Sequence, residues 1–135
     1  MKAEGKKLSS LLKNSKAKLK RGSADPIVNR LVIDSRRVTP GSLFFALPGI
    51  RYDGTSFVDE ALTRGAVGVV SSVPRRFGNS KAVFVNSADP RVTLAKVARR
   101  FFGKPDKALA LIGITGTNGK TTVSYMAKHF LSLDG

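Results

Sequence analysis

The clearest chemistry in the chain sits near its C-terminal end, in Gly113-Ile114-Thr115-Gly116-Thr117-Asn118-Gly119-Lys120-Thr121-Thr122. An apolar run, Leu109 to Ile114, leads into it, and a helical stripe of Val123, Met126, Ala127, Phe130 and Leu131 follows. Strand, glycine loop, Lys-Thr and helix in that order are what a phosphate-binding loop needs. Small residues let successive backbone N–H groups turn toward a polyphosphate, and the helix N-terminus adds partial positive charge. In such a loop Lys120 reaches the β- and γ-phosphates and the Thr121 hydroxyl ligates Mg²⁺. The standard pattern has Gly where this chain has Ile114, so Gly116 must supply the flexibility instead. An ordinary glycine-rich turn is the competing reading, and the correct flanks on both sides weigh against it.

A second polar cluster, Asp34-Ser35-Arg36, falls at or just past the end of an apolar stretch from Ile27 to Ile33. Loops at strand ends host ligands in α/β sheets. Taken alone, these three residues read more simply as a local turn with a salt bridge. Other chemistries are poorly supplied. The chain has no Cys, hence no disulfide, thiolate metal site or Cys nucleophile. Its single His, His129, lies off the helical stripe and reads as solvated, which leaves no basis for a His metal cluster or a Ser-His-Asp triad. Arg75-Arg76 and Arg99-Arg100 read as exposed pairs.

The elements that must position these residues follow from periodicity and punctuation. Strands are expected at Ile27–Ile33, Leu43–Leu47, Val67–Val70, Ala82–Val85 and Leu109–Ile114, the last as a parallel strand buried on both faces. One helix is expected from near Ser56, with Ser56 and Asp59 close to a capping box, Phe57, Ala61 and Leu62 facing inward, and Gly65 ending it. A second is signalled by Asp89 as cap, Pro90 at the first helical position, and Leu94, Val97, Ala98 and Phe101 at i, i+3, i+4 and i+7. Strands alternating with helices predict an α/β fold with a small mixed or parallel sheet.

At 135 residues the chain suits one domain with a real core. Its apolar content of 41% and eight Phe fit a folded protein. No apolar run reaches the roughly 18–20 residues of a membrane helix, and no signal-peptide core is present, so a cytoplasmic address is the default. The net charge of +15 first points to nucleic acid. Eight of the 24 Lys and Arg fall within residues 1–21 beside a single acid, Glu4. The rest are spread thinly. Leu8, Leu11, Leu12 and Leu19 in that basic leader recur at helical spacing. A short amphipathic helix docked on the domain is expected there, within a leader that reads as detachable.

Gly116-Thr117-Asn118-Gly119-Lys120-Thr121-Thr122 resembles the nucleotide loop of the Mur ligase family, the ATP-dependent amide ligases of peptidoglycan precursor synthesis. The resemblance extends upstream through Asp34-Ser35-Arg36, Pro40-Gly41-Ser42-Leu43-Phe44-Phe45-Ala46-Leu47, Gly49, Asp53-Gly54, Phe57 and Gly65-Ala66, which look like that family's N-terminal substrate domain. Two kinds of member share this layout: one adds the third residue, diaminopimelate or lysine, to UDP-N-acetylmuramoyl-L-alanyl-D-glutamate, and the other adds D-alanyl-D-alanine. Leu94 to Pro105, the stretch into the loop, and Ser at the centre of Asp-Ser-Arg look more like the first. The alternatives are the D-alanyl-D-alanine-adding kind, or a basic module binding nucleic acid or other anions.

The resemblance implies roles for particular residues. Gly116, Thr117, Asn118, Gly119, Lys120, Thr121 and Thr122 would bind ATP, with Thr121 on Mg²⁺. Ser35 matches the family's uridine-contacting Ser, Ile33 sits where the family uses a backbone contact, and Ile50-Arg51-Tyr52 occupies the position of a second uracil-contacting loop, with different residue types. ATP, Mg²⁺ and the UDP-N-acetylmuramoyl-dipeptide are the implied ligands, with nucleic acid and membrane not expected and a monomeric full-length enzyme expected. The implied organisation is a basic leader over residues 1–24, a UDP-substrate domain over 25–107, and the opening of an ATP-binding domain over 108–135. No complete catalytic set lies within these residues, so the chain is expected to be a truncated, inactive N-terminal part.

Overall fold

The apolar strand runs between Ile27 and Val85 form a sheet whose central strands are apolar on both faces. In the computed structural model, which describes residues 4–21, 25–49, 53–73 and 81–133, the elements run β1 (Lys6–Lys7), α1 (Leu8–Leu12), β2 (Lys18–Arg21), β3 (Ile27–Val28), β4 (Arg30–Val32), β5 (Ser42–Phe45), α2 (Val58–Thr63), β6 (Ala66–Ser71), β7 (Val83–Asn86), α3 (Pro90–Phe101) and α4 (Lys120–Leu131). One sheet has the order β2-β7-β6-β5-β4, and a two-stranded ribbon pairs β1 with β3. Strands β4 to β7 are parallel to one another, while β2 lies antiparallel on β7. The α/β class with a small mixed sheet is therefore as the sequence predicts.

Period-two alternation divides the core between the two faces of the sheet. Leu43 and Phe45 of β5 and Val70 of β6 pack with Leu8, Leu11, Val97 and Phe101 on the α1/α3 side. Phe44 and Val69 from the same strands pack with Val32, Val58, Ala61 and Phe84 on the α2 side. Because both faces are covered, these strands read as unbroken apolar runs. Helix α3 is built as its signals predict: the Asp89 side chain accepts from the Arg91 and Val92 N–H groups, Pro90 opens the helix, and Val97 and Phe101 are buried.

Several elements depart from the sequence reading. The stretch Ile27–Ile33 is two short strands, because Asn29 turns to donate its N–H to Gly41 O at 2.9 Å and the two halves pair with different partners. The helix expected from Ser56 begins as a 3₁₀ turn, Gly54–Phe57, capped by the Asp53 carboxylate on Thr55 N at 2.9 Å, and becomes α-helical only at Val58. At the start of α2 Phe57, not Ser56, holds the cap position, and it makes no side-chain cap bond. Phe57, expected to face inward, is 38% exposed, whereas Ala61 is buried as expected.

The basic N-terminal segment is not detachable. Leu8 and Leu11 are 1% exposed and sit in the core, α1 packs on α3, and β2 supplies an edge strand of the sheet. Leu8, Leu11 and Leu12 are too few to hold a helix in water, but they join the core on one side of the sheet. Backbone pairing of Lys18, Leu19 and Arg21 with β7 anchors the rest.

The chain falls into two compact units, Met1–Pro105 and Asp106–Gly135. The 3₁₀ turn Pro105–Lys107 spans the division, and helix α4 lies in the second unit. The strand expected at Leu109–Ile114 is not formed, and Leu109, Leu111 and Ile112 are 62, 74 and 64% exposed. A parallel strand takes all its hydrogen bonds from neighbours, and among the described residues no strand pairs with this one. No helix among the described residues is long and apolar enough to cross a membrane.

Candidate functional site

Because β4 and β5 are parallel, their C-terminal ends lie at the same end of the sheet, and the chain leaving β4 there builds a polar turn. Asp34 caps the 3₁₀ turn Ser35–Arg37 by accepting from Arg36 N at 3.1 Å. Arg36 then folds back, its Nε donating to Asp34 Oδ1 at 3.0 Å and its Nη2 to Oδ2 at 2.8 Å. This two-pronged pair holds the Asp34 carboxyl down to a pKa of about 2, chiefly through the Arg36 side-chain hydrogen bonds. The same pair raises the Arg36 guanidinium above its usual value. So the simple reading of this tripeptide, a local turn with a salt bridge, is correct as far as Asp34 and Arg36 go.

Ser35 points elsewhere. It is 5% exposed, and its hydroxyl donates to Glu60 Oε2 on α2 at 2.6 Å. The other oxygen of Glu60 accepts from Arg64 Nε at 3.0 Å, one helical turn on. Both contacts keep the Glu60 carboxyl below the ordinary carboxylate range, the Ser35 bond first. Ile33, Asp34, Ser35, Arg36, Phe57 and Glu60 line a cavity of about 500 Å³. A second cavity of about 290 Å³ lies along β4, lined by Arg30, Leu31, Val32, Ile33, Asp34 and Arg37. The two share Ile33 and Asp34, so β4 and its exit turn present polar and apolar groups to two adjoining hollows.

The structure thus brings Ile33 and Ser35 to one cavity. Ile50, Arg51 and Tyr52 lie outside the described residues. Glu60, Phe57 and Arg64 were not singled out as site residues from the sequence. Glu60 and Arg64 carry an i, i+4 signature of a helix-surface pair, but nothing local says that Glu60 meets a Ser 25 residues earlier.

In the second unit the glycine loop has the conformation its glycines allow. Gly116 and Gly119 have φ of +146° and +76°, and Gly119 forms the cap of α4 in a left-handed conformation. The first helical bond returns from Val123 N to Gly119 O at 2.9 Å, so the amides of 120–122 belong to the open first turn. The Lys120 ammonium is drawn back over the loop, donating to Gly116 O at 2.5 Å and Thr117 O at 3.4 Å. Open amides, a helix N-terminus and a cation over the loop are donors suited to a polyphosphate. Among the described residues no group of three His, Cys, Asp or Glu could hold a metal ion alone.

The cavity-bearing part of the chain is also the part that known proteins share. The profile described as Mur ligase family, catalytic domain, matches residues 28–113, which include every residue lining the larger cavity. The chain belongs to the Mur ligase family. Among curated members, it is similar to the UDP-N-acetylmuramoyl-L-alanyl-D-glutamate--2,6-diaminopimelate ligase of Solibacter usitatus (strain Ellin6076), with 49% identity over 110 residues. That alignment takes in 80% of this chain and 22% of the relative, so the chain spans under a quarter of that Mur ligase. A crystal structure of MurF from Acinetobacter baumannii matches 98% of this chain and 28% of its own, with a TM-score of 0.73 and 24% identity, a likeness of fold. The MurF ligase of Thermotoga maritima, solved in complex with ADP, matches 69% of this chain and 21% of its own, with a TM-score of 0.53 and 36% identity.

Proposed function

We propose that this chain is the N-terminal part of the Mur ligase that adds the third amino acid to UDP-N-acetylmuramoyl-L-alanyl-D-glutamate. The observation that carries this is the 49% identity to a diaminopimelate-adding ligase across 110 residues, a stretch long enough to span the β4–α2 cavity. In this reading residues 25–107 hold the UDP end of the substrate, with Ser35 and the backbone at Ile33 in the larger cavity and Ile50-Arg51-Tyr52 as a second contact loop. Residues 108–135 open the ATP-binding part, with Gly116, Thr117, Asn118, Gly119, Lys120, Thr121 and Thr122 around the phosphates. The open first turn of α4 and the Lys120 ammonium over the loop fit such a group.

Mg²⁺ would be held by the nucleotide phosphates together with the Thr121 hydroxyl, which suits a chain without a carboxylate cluster among its described residues. Bound there, the metal would neutralise charge on the phosphates. The reaction so supported is amide formation at the D-glutamate side-chain carboxyl through an acyl phosphate, in the cytoplasm. Lys and Arg excess then meets anionic substrates rather than nucleic acid.

Calorimetry with UDP-N-acetylmuramoyl-dipeptide and with Mg-ATP, on the wild-type chain and Ser35→Ala, tests this. The expected result is saturable binding of the UDP-sugar that weakens about tenfold in Ser35→Ala, one hydrogen bond's worth. No binding of the UDP-sugar by wild type counts against the substrate-domain reading. Binding of DNA that falls steeply with salt, without UDP-sugar binding, would favour a basic anion-binding module instead.

A further inference from the structure

Ser35 has one proton, and the structure shows where it goes. Across 2.6 Å it faces a Glu60 oxygen, and an ionised carboxylate has no proton to give, so the Ser35 hydroxyl is the donor. Arg64 binds the other Glu60 oxygen and keeps that carboxylate in its accepting form. What Ser35 has left for a ligand is lone pairs only. Those lone pairs are complementary to a ligand N–H and oppose a ligand lone pair. The same cavity is lined by the apolar Ile33 and Phe57, 60% and 38% exposed, which suit contact with a flat ring.

We propose that Glu60 is a positioning residue that fixes Ser35 as a hydrogen-bond acceptor, so that the β4–α2 cavity selects uracil through its N3–H and rejects bases without a donor at that position. This rests on the reading of the cavity as the uridine end of the substrate site. Uracil carries a proton on N3, flanked by two carbonyls. Cytosine carries a lone pair there, which would face the lone pairs of Ser35. N3-methyluracil keeps both carbonyls and the ring but has lost the proton.

The test is a titration of the 135-residue chain with UDP, CDP, N3-methyl-UDP and 2′-deoxy-UDP. Wild type is expected to bind CDP and N3-methyl-UDP at least about tenfold more weakly than UDP, the cost of one opposed or lost hydrogen bond. In Glu60→Ala the Ser35 proton is free to turn toward the ligand, and the UDP-to-CDP ratio is expected to fall toward one. Glu60→Gln, whose carbonyl still takes the Ser35 proton, is expected to restore the ratio, which a merely structural role would not require. Equal binding of UDP and N3-methyl-UDP by wild type overturns the proposal without any variant. So does a UDP-to-CDP ratio unchanged in a folded Glu60→Ala, or a loss of affinity confined to 2′-deoxy-UDP, which would place Ser35 on the ribose. Failure of wild type to bind UDP at all overturns the uridine-site reading itself and this inference with it.

Discussion

At the scale of single residues, three consecutive side chains have opposite assignments. Asp34 and Arg36 satisfy each other, while Ser35 between them reaches α2. The Asp34 carboxyl is held at about 2 against an ordinary 3.8. A carboxylate with a depressed folded-state pKa contributes its stabilisation above the unfolded value and loses it as pH falls through the folded one. The thermal midpoint is therefore expected to hold down to about pH 4 and to decline between there and pH 2, with part of that decline absent in Asp34→Asn. The group is solvent-exposed, so the effect is small. Arg36→Ala is expected to return the Asp34 pKa toward 3.8, read by carboxyl NMR titration, and an unmoved pKa would refute the assigned cause. The type and place of Ser35 were legible in the sequence, but Glu60 was not: its partner lies 25 residues away, beyond any local pattern.

Among the elements, α3 and α1 make the sharpest contrast. Helix α3 carries its own instructions: an Asp cap, a Pro at the start and apolar residues at helical spacing. Asp89→Ala is expected to cost about 1 kcal/mol in chemical denaturation, the usual worth of an N-cap that satisfies two amides. Helix α1, at five residues, could not stand alone and exists because the sheet covers it. Leu11→Ala is accordingly expected to destabilise the fold by about 2–5 kcal/mol, a core-sized loss. A loss near zero would mean that the N-terminal segment is dispensable after all. Local signals placed Ala61 and Gly65 well, but not the 3₁₀ entry into α2, which depends on Asp53 capping a turn against β5's exit, with Gly54 N–H on Leu47 O at 2.9 Å.

For the whole molecule, the two units differ in what they bury. The first has a two-sided core; the second leaves Leu109, Leu111, Ile112, Met126 and Phe130 all more than half exposed. Among the described residues no strand pairs with 109–116, so hydrogen exchange there is expected to be fast while β5, β6 and β7 are protected. The 135-residue chain is likewise expected to form no amide from ATP, the UDP-dipeptide and an amino acid, because among the described residues no sheet strand leads into its glycine loop; observed turnover would overturn this. By itself the sequence determined the fold class, the order and type of most elements, the phosphate-loop motif and the polar turn after β4, since each depends on short-range periodicity, capping or turn chemistry. Only the tertiary structure decided that the basic N-terminus is core and edge strand, that 109–114 is not a strand, and that Ser35 gives its proton to Glu60. Those outcomes hang on partners distant in sequence, and burial, strand pairing and hydrogen-bond direction are properties of pairs, not of the residues taken one at a time.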